Sequence, residues 1–565
     1  MHTLDVIVLL GTLGFIVVYG AFKTRGQKDM QSYLRGSDEK KWWAICLSVM
    51  ATQASAITFI STPGQAYESG MGFLQIYFGL PLAMIVISAV FIPKFYSLNV
   101  YTAYEYLEGR FNLLTRQFIA LLFLISRGLG AGITIYAPAI ILSTIFGWNL
   151  NLLCLLIGAA VILYIYIGGE KAVNQTQMLQ MGVILTGMGA ALFVLIHSLP
   201  KGVSFLDATY LAGKMGKMKM VNTHFDLDDR YTLWSGLLGG FFLSLSYFGT
   251  DQSQVSRYLG GETVNQSKLG LFFNGIVKIP MQFFILFIGV MTFVFFIFNH
   301  SPVFFNNKVL ENANFTPEVK QQFIDKENKH YMLEAIMKES AMNALHASDT
   351  ANQRYALASL NSAEQQDVMV RAQVKDLIKR NVPGVETRDT DYVFLSFVLN
   401  HMPRGLVGLL LAVMFCAAMS ATAGQINSLA STTVIDYYKR SIKKDGTEEH
   451  YVKATKMSTL LWGAIAVGFA ISAPLADNLV QLVNELGSLF YGTILGVFLV
   501  AFFFKKIKGD AVFTAALITE LIIISLYVFD KKMSYLWLNP IGAILVIVIG
   551  YIIHYVIPEK GTEKV

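Results

Sequence analysis

A chain of 565 residues that is 54% hydrophobic and only 15% charged lies far outside the balance of soluble globular domains and reads as a membrane protein. Its formal charge of +6 is spread over short segments between apolar runs, which argues against a nucleic-acid partner and makes Lys and Arg reporters of topology. Cys46, Cys154 and Cys416 sit inside apolar runs with no C-x-x-C or Cys/His spacing, so they read as buried small hydrophobes, not as a disulfide framework or a zinc site.

A bilayer core takes about 20 apolar residues per helix. By that ruler the chain predicts helices over residues 5–23, 43–67, 72–95, 115–146, 150–168, 174–198, 231–258, 268–299, 399–438, 454–474, 478–505, 511–529 and 535–557, about thirteen spans in an all-α polytopic fold. The first run is followed, not preceded, by a basic cluster (Lys23, Arg25, Lys28, Arg35, Lys40, Lys41). A secretory signal peptide has the opposite charge order, so this is expected to be a retained helix with its amino end outside. The inside loops then become 23–41, 94–116, 168–175, 257–268, 439–456, 505–508 and a tail after Pro558, mostly rich in Lys and Arg. That places the carboxyl end inside and the chain in a cell (inner) membrane; the outside pair Lys531 and Lys532 runs against the rule.

The run from Trp42 carries Thr52, Gln53, Ser55, Thr58, Ser61 and Thr62 before reaching Pro63-Gly64, a density of hydroxyls and breakers unsuited to a lipid-facing helix. Unsatisfied backbone in hydrocarbon costs several kcal/mol per group, so this run should line a cavity. A second run from Tyr231 behaves alike, with Gly239-Gly240, Ser244, Ser246, Tyr247, Gly249, Thr250, Asp251 and Gln252. Paired interrupted helices in two halves point to an inverted-repeat transporter with its solute at the midplane. Residues 300–391 are polar and hold no run able to span; helical composition at 334–345 and 363–380 predicts a helical extramembrane insert on the outside. The Asn314-Phe315-Thr316 sequon would matter only in a eukaryotic source. No H-E-x-x-H, G-x-S-x-G or Walker A run occurs, which argues against an enzyme and against ATP-driven transport.

The local sequences then become specific: Trp42-Trp43, Ser55 through Pro63, Thr102-Ala-Tyr-Glu-Tyr-Leu-Glu-Gly-Arg-Phe111, Ile135-Tyr-Ala-Pro138, Tyr247-Phe-Gly-Thr-Asp-Gln-Ser-Gln-Val-Ser-Arg257, and Ser420 through Asn427 to Asp436-Tyr-Tyr-Lys439. Together they resemble the sodium/solute symporter family over nearly the whole chain, most of all its branch of organic anion, iodide and sialic acid carriers. The resemblance implies a ten-helix core of two inverted five-helix halves with broken first and sixth core helices, and alternating access. On it the chain divides into an N-terminal helix and inside loop (1–42), a first core repeat (43–198), an outside loop (199–230), the start of a second repeat (231–299), the insert (300–391), the rest of the second repeat (392–505) and two peripheral helices with a tail (506–565).

The resemblance implies a sodium cage from the carbonyls of Ala51, Ala54 and Ala417 with the hydroxyl of Ser420. Oxygen ligands of this kind suit a hard cation. Ala421 stands where a second hydroxyl is usual, and Thr422 points about 100° away on a helix. Gln177 stands where some members carry an aspartate, and Gly424 and Gln425 replace serines, so one coupling ion is expected. Thr58 and Tyr77 occupy places that hold Gln and Glu in sugar carriers, which disfavours a galactose-type site. The other cavity positions carried over are Phe73, Ser244, Tyr247, Lys278 and Asn484.

Arg127 is not explained by the resemblance. A charge inside an apolar helix is functional by default, and three readings stay open: contact with an anionic solute, an inner gate with Glu105 or Asp251, or a snorkelling structural arginine. Asp251 itself is expected to cap a helix end and pair with Arg257. The resulting expectation is sodium-driven uptake of a small organic anion such as sialic acid or a monocarboxylate, with a sugar or polyol symporter, or a sensor or channel on the same fold, as alternatives.

Overall fold

The computed structural model describes residues 2–23, 40–98, 100–311, 315–382, 387–472, 479–530 and 532–556. The residues between Lys23 and Lys40, Asn314 of the sequon, Lys531 and the tail after Val556 therefore lie outside the described residues. Helix α1 (Thr3–Lys23) precedes the core. The first half follows as α2 (Trp42–Gln53), α3 (Ala56–Ser69), a 3₁₀ return (Gly70–Tyr77), and α4 (Leu80–Val86, then a π-turn at Ile87–Phe91, then Ile92–Ser97). It ends with a short α5 (Glu105–Arg110), α6 (Leu113–Phe146) and α7 (Leu150–His197). After α8 (Phe205–Lys214) the second half begins with a π-turn (Ser235–Gly239), α9 (Gly240–Thr250), α10 (Gln252–Leu259) and α11 (Val264–Phe298). The short α12 (Asn307–Glu311), α13 (Pro317–His346), α14 (Thr350–Asn381) and α15 (Thr390–His401) precede α16 (Leu406–Thr432, wound on as a π-helix over Thr433–Ile442). Helices α17 (Glu448–Ser472), α18 (Leu479–Phe503), α19 (Gly509–Phe529) and α20 (Leu538–Val556) complete the chain.

Two breaks organise this order. Ala54 (ψ 80°) and the extended Ser55 separate α2 from α3, and the extended Asp251 (ψ 118°) separates α9 from α10. The first break falls well before Pro63, which sits inside α3. Each half thus starts with a broken helix, as the patterning predicted. Among the described residues ten stretches are long and apolar enough to cross a membrane, while α1 offers the shorter run Thr3–Ile16. Length alone does not reproduce the count of about thirteen, because the breaks cut α2, α9 and α10 below the ~20 residues a span needs.

Two boundaries differ from the sequence reading. The expected spans 150–168 and 174–198 are present as the two helical stretches of α7, separated at Gly169, whose non-helical φ of 53° and ψ of −153° suit only glycine. The interruption is shorter than the expected inside loop 168–175, being confined to Gly169, with helix resuming directly after it. The expected span 399–438 is divided between two helices, since Pro403 lacks an N–H and Gly405 takes a positive φ of 88° between α15 and α16. Gly128 and Gly132, one turn apart on α6, allow close packing: Cβ atoms there would strike Trp462 and Phe469 of α17.

The insert is an antiparallel pair, α13 against α14, capped by Thr316 and by Asp349, whose side chain accepts from Asn352 N at 2.8 Å. Neither helix is among the candidate spans. A buried polar knot fastens it to the end of α11. Glu334 accepts from the Ser301 amide (2.8 Å) and hydroxyl (2.5 Å), and His330 lies between Asp367 (2.5 Å) and Glu334 (3.1 Å). Arg371 joins Asp367 (2.8 Å) to the Pro302 carbonyl (2.9 Å), and Lys375 pairs with Asp389 (2.6 Å). Burial alone would depress the His330 imidazole, but Asp367 and Glu334 outweigh it and raise the pKa to about 9. The same contacts overcome burial at both carboxylates and hold them below their usual range.

A histidine whose folded pKa is raised contributes stability that is complete below its unfolded pKa of about 6.5 and lost as pH rises through about 9. Hydrogen-exchange protection of α13, corrected for intrinsic rates, should therefore fall between about pH 7 and about pH 10 while α18 holds. In His330→Gln it should be low throughout. Equal protection at both pH values in the wild type would remove the knot from the account.

Candidate functional site

The two breaks face a cavity of about 120 Å³ in the middle of the core. Six residues expected there line it: Thr58 on α3, Tyr77 at the end of the 3₁₀ return, Arg127 on α6, Ser244 and Tyr247 on α9, and Asn484 on α18. Gln53 and Ser55, from the polar run expected to line a cavity, join them; Ile57, Ile76, Leu243, Phe248, Val483 and Tyr491 complete the lining and were not singled out as cavity residues in the sequence. Only their neighbourhood to the breaks, read through helical periodicity, could have flagged them.

Two expected lining residues stand elsewhere. Phe73 is buried behind the cavity wall, edge-on to Tyr77 (6.0 Å) and Tyr231 (5.5 Å), so it shapes the wall rather than touching the space. Lys278 is buried on α11, its Nζ 5.6 Å from the centre of the Tyr77 ring, and does not reach the cavity.

Arg127 closes one end of the cavity. Its Nε pairs with Asp251 and its Nη2 donates to the Tyr491 hydroxyl, which itself donates to Asp251 at 3.0 Å. The guanidinium lies 4.8 Å from the centre of the Tyr247 ring. Gln254 Nε2 fixes the Tyr247 hydroxyl at 2.6 Å. Asp251 also caps α10, accepting from Ser253 N (2.8 Å). The expected cap is thus present, but the expected partner is not: Asp251 meets Arg127, and Arg257, about 1.7 turns further along α10, is turned to α7. Glu105 does not meet Arg127 either; it accepts the amides of Tyr101 (2.7 Å) and Thr102 (2.9 Å).

Arg257 is completely buried, with Nη1 donating to Glu170 (2.5 Å) and Asn174 (3.1 Å), while Asn427 Nδ2 donates to the other Glu170 oxygen at 2.8 Å. A third layer lies toward the ends of α6 and α16. Arg116 there bridges Asp436 (2.7 Å) and Glu108 (2.6 Å), and Arg440 also pairs with Glu108. Each layer links the first half of the core to the second.

At the first break, Ser420 on α16 donates to the Ala51 carbonyl at 3.2 Å, and Ala51, Ala54 and Ala417 are fully buried. Ala54 is the residue where α2 ends, so its carbonyl is outside the regular helix ladder. Thr422 turns to Thr134 Oγ1 (2.9 Å) and supplies nothing here. Gln177 is buried and engaged at both amide atoms: Ser48 donates to its Oε1 (2.5 Å) and its Nε2 donates to Thr52 (2.9 Å). A Cβ on Gly424 would sit 2.7 Å from Arg257 Nη2, so a serine there would require that guanidinium to shift.

The sodium:solute symporter family model matches residues 33–311 and 368–519, leaving out 312–367, which hold α13 and half of α14. The chain is 26% identical over 498 residues to sodium-coupled monocarboxylate transporter 1 of Xenopus laevis, an alignment covering 87% of this chain and 66% of that protein, just under two thirds of its length. It is 25% identical over 560 residues to the sodium/sialic acid symporter SiaT of Proteus mirabilis, covering 96% and 93% of the two chains. A substrate-bound, outward-open structure of a sodium-coupled sialic acid symporter superposes with a TM-score of 0.75 at 21% identity, over 99% of this chain and 98% of that one, and shows the same fold.

Breaking a buried pair by removing one partner leaves an uncompensated charge and costs roughly 3–5 kcal/mol, whereas apolar replacement of both is far milder. Glu170→Gln should accordingly lower the thermal midpoint of the detergent-solubilised protein clearly, and Glu170→Leu with Arg257→Met should recover most of the loss. A silent Glu170→Gln would mean that water, not Glu170, satisfies Arg257.

Proposed function

The chain belongs to the sodium:solute symporter family, and on that premise we propose that it is a sodium-coupled symporter that accumulates a small organic anion by alternating access. The observation that carries the reading is the pairing of an interrupted helix, whose freed carbonyl end meets Ser420, with a central cavity closed by a guanidinium. Sodium is held by the carbonyls of Ala51, Ala54 and Ala417 and by the Ser420 hydroxyl, all hard oxygen donors. Because those donors belong to α2 and to α16, binding the ion draws the broken helix onto the second half. Thr58, Tyr77, Ser244, Tyr247 and Asn484 contact the solute, with Phe73 steadying Tyr77.

Arg127 meets the solute carboxylate from the cavity floor, where Asp251 and Tyr491 orient it. A cavity of about 120 Å³ is well below the roughly 300 Å³ at which drug-sized ligand sites begin, which favours a solute of monocarboxylate size over a nine-carbon acid in this conformation. One sodium ion accompanies each solute, since the Gln177 amide fills its neighbourhood with neutral hydrogen bonds. The protein lies in a cell (inner) membrane with its amino end outside and its carboxyl end inside, by the distribution of Lys and Arg.

The test is uptake into proteoliposomes of labelled short monocarboxylates, sialic acid, inositol and hexoses, with and without an inward sodium gradient. Sodium-driven accumulation of an acid should appear, with a Hill coefficient for sodium near one. Ser420→Ala should weaken apparent sodium affinity by about tenfold, equivalent to about 1.4 kcal/mol. Arg127→Met should abolish uptake of acids. Sodium-independent solute binding indifferent to Ser420→Ala would overturn the ion assignment and favour a sensor or uniporter.

A further inference from the structure

Helix α11 carries a polar stripe that the transport reading leaves unused. Asn274, Lys278 and Gln282 follow one another at four-residue spacing, which sets them on one face about 6 Å apart along the axis. All three are at most 1% exposed. Both amide atoms of Asn274 and both of Gln282 lack a hydrogen-bond partner among the described residues. Lys278 has no hydrogen bond and no carboxylate partner among them either; its ammonium faces the Tyr77 ring, 5.6 Å from the ring centre.

The glycines of α11 show what the stripe faces. A Cβ on Gly275 would meet Met84 of α4, and one on Gly289, two turns beyond Gln282, would sit 2.1 Å from the Pro63 carbonyl of α3. The stripe therefore runs along the seam that α11 makes with the broken helix and α4. Buried polar groups in native proteins are nearly always satisfied, and an ionisable group inside a membrane is by default functional. Three consecutive exceptions on one face ask for a shared partner.

We propose that the stripe is a binding site for a small inorganic monovalent anion of halide size, held by the Lys278 ammonium and by amide N–H groups of Asn274 and Gln282. The donors fix the sign: an ammonium repels sodium, and the amides can turn their NH₂ groups to an anion. Loss of the lysine proton would remove the charge but leave both amides unsatisfied, so a neutral lysine does not account for the stripe. Tyr77 lies between Nζ and the central cavity, which separates this site from the solute and sets its ligand as an inorganic ion.

The site stands independently of the symport reading and is tested by binding. Purified full-length protein is melted at constant sodium and ionic strength while gluconate is replaced by chloride or bromide. The unfolding midpoint should rise with halide and saturate. That rise should vanish in Lys278→Met and shrink in Gln282→Leu, while the sodium-dependent response lost in Ser420→Ala remains. Crystals grown in bromide should give an anomalous peak beside Lys278 Nζ, a readout that needs no variant to fold. Equal midpoints in gluconate and halide, a rise that persists in Lys278→Met, or bromide bound only elsewhere would each overturn the proposal. So would stabilisation of this site by a carboxylate solute and not by halide.

Discussion

A helix cannot stop inside hydrocarbon unless something takes its end, and at the second break that something is Asp251. Its carboxylate caps α10 through Ser253 N and at the same time pairs with Arg127 across the core. One side chain thus resolves two problems that would each be prohibitive alone: freed backbone amides, and a guanidinium far from water. The cavity exists because of this arrangement. Without the break, α9 and α10 would run on as an ordinary span, and the space between Ser244, Tyr247 and Arg127 would close with packed side chains.

The same logic repeats below the cavity. Arg127 with Asp251, Arg257 with Glu170, and Arg116 with Asp436 each join one half of the core to the other. Burying such pairs is expensive, and their net contribution to stability is small or negative beside a well-packed apolar alternative. Their use is geometric. An apolar seam slides or loosens gradually, whereas a buried pair is either made or broken, because a half-separated pair has neither its partner nor water. For a protein proposed to alternate between two accesses, three such contacts between the halves favour two discrete arrangements over a continuum.

Ion coupling depends on which groups are left unsatisfied. At the first break the carbonyl end of α2 leaves the helix ladder, with the Ser420 hydroxyl directed to the Ala51 carbonyl, and it is there that the proposed cation would sit. One helix away, Gln177 takes Ser48 and Thr52 and leaves both engaged, and Arg257 lies against Gly424. A cation in that second neighbourhood would have to displace two hydrogen bonds and approach a guanidinium. The proposed single-ion coupling is thus the outcome of one amide and one glycine, not of a remote feature of the fold.

Much of this was legible because membranes make polar residues conspicuous. The hydroxyl-rich run from Thr52 to Thr62 and the Gly, Ser and Asp run ending at Gln252 announced both broken helices, and polar Lys/Glu composition announced the insert. Partner choice was not legible. Arg257 goes to Glu170 and not to Asp251, and Glu170 stands directly after the non-helical Gly169, where the sequence reads as loop and gives no register for the helix that follows. Lys278 and Phe73 were placed in the cavity by likeness of position, yet a lysine and a phenylalanine can each sit one side chain's depth behind a wall that Tyr77 supplies. Position along a helix fixes depth and face; whether a side chain reaches the space or stops behind another depends on the neighbouring helix, whose register no local pattern specifies.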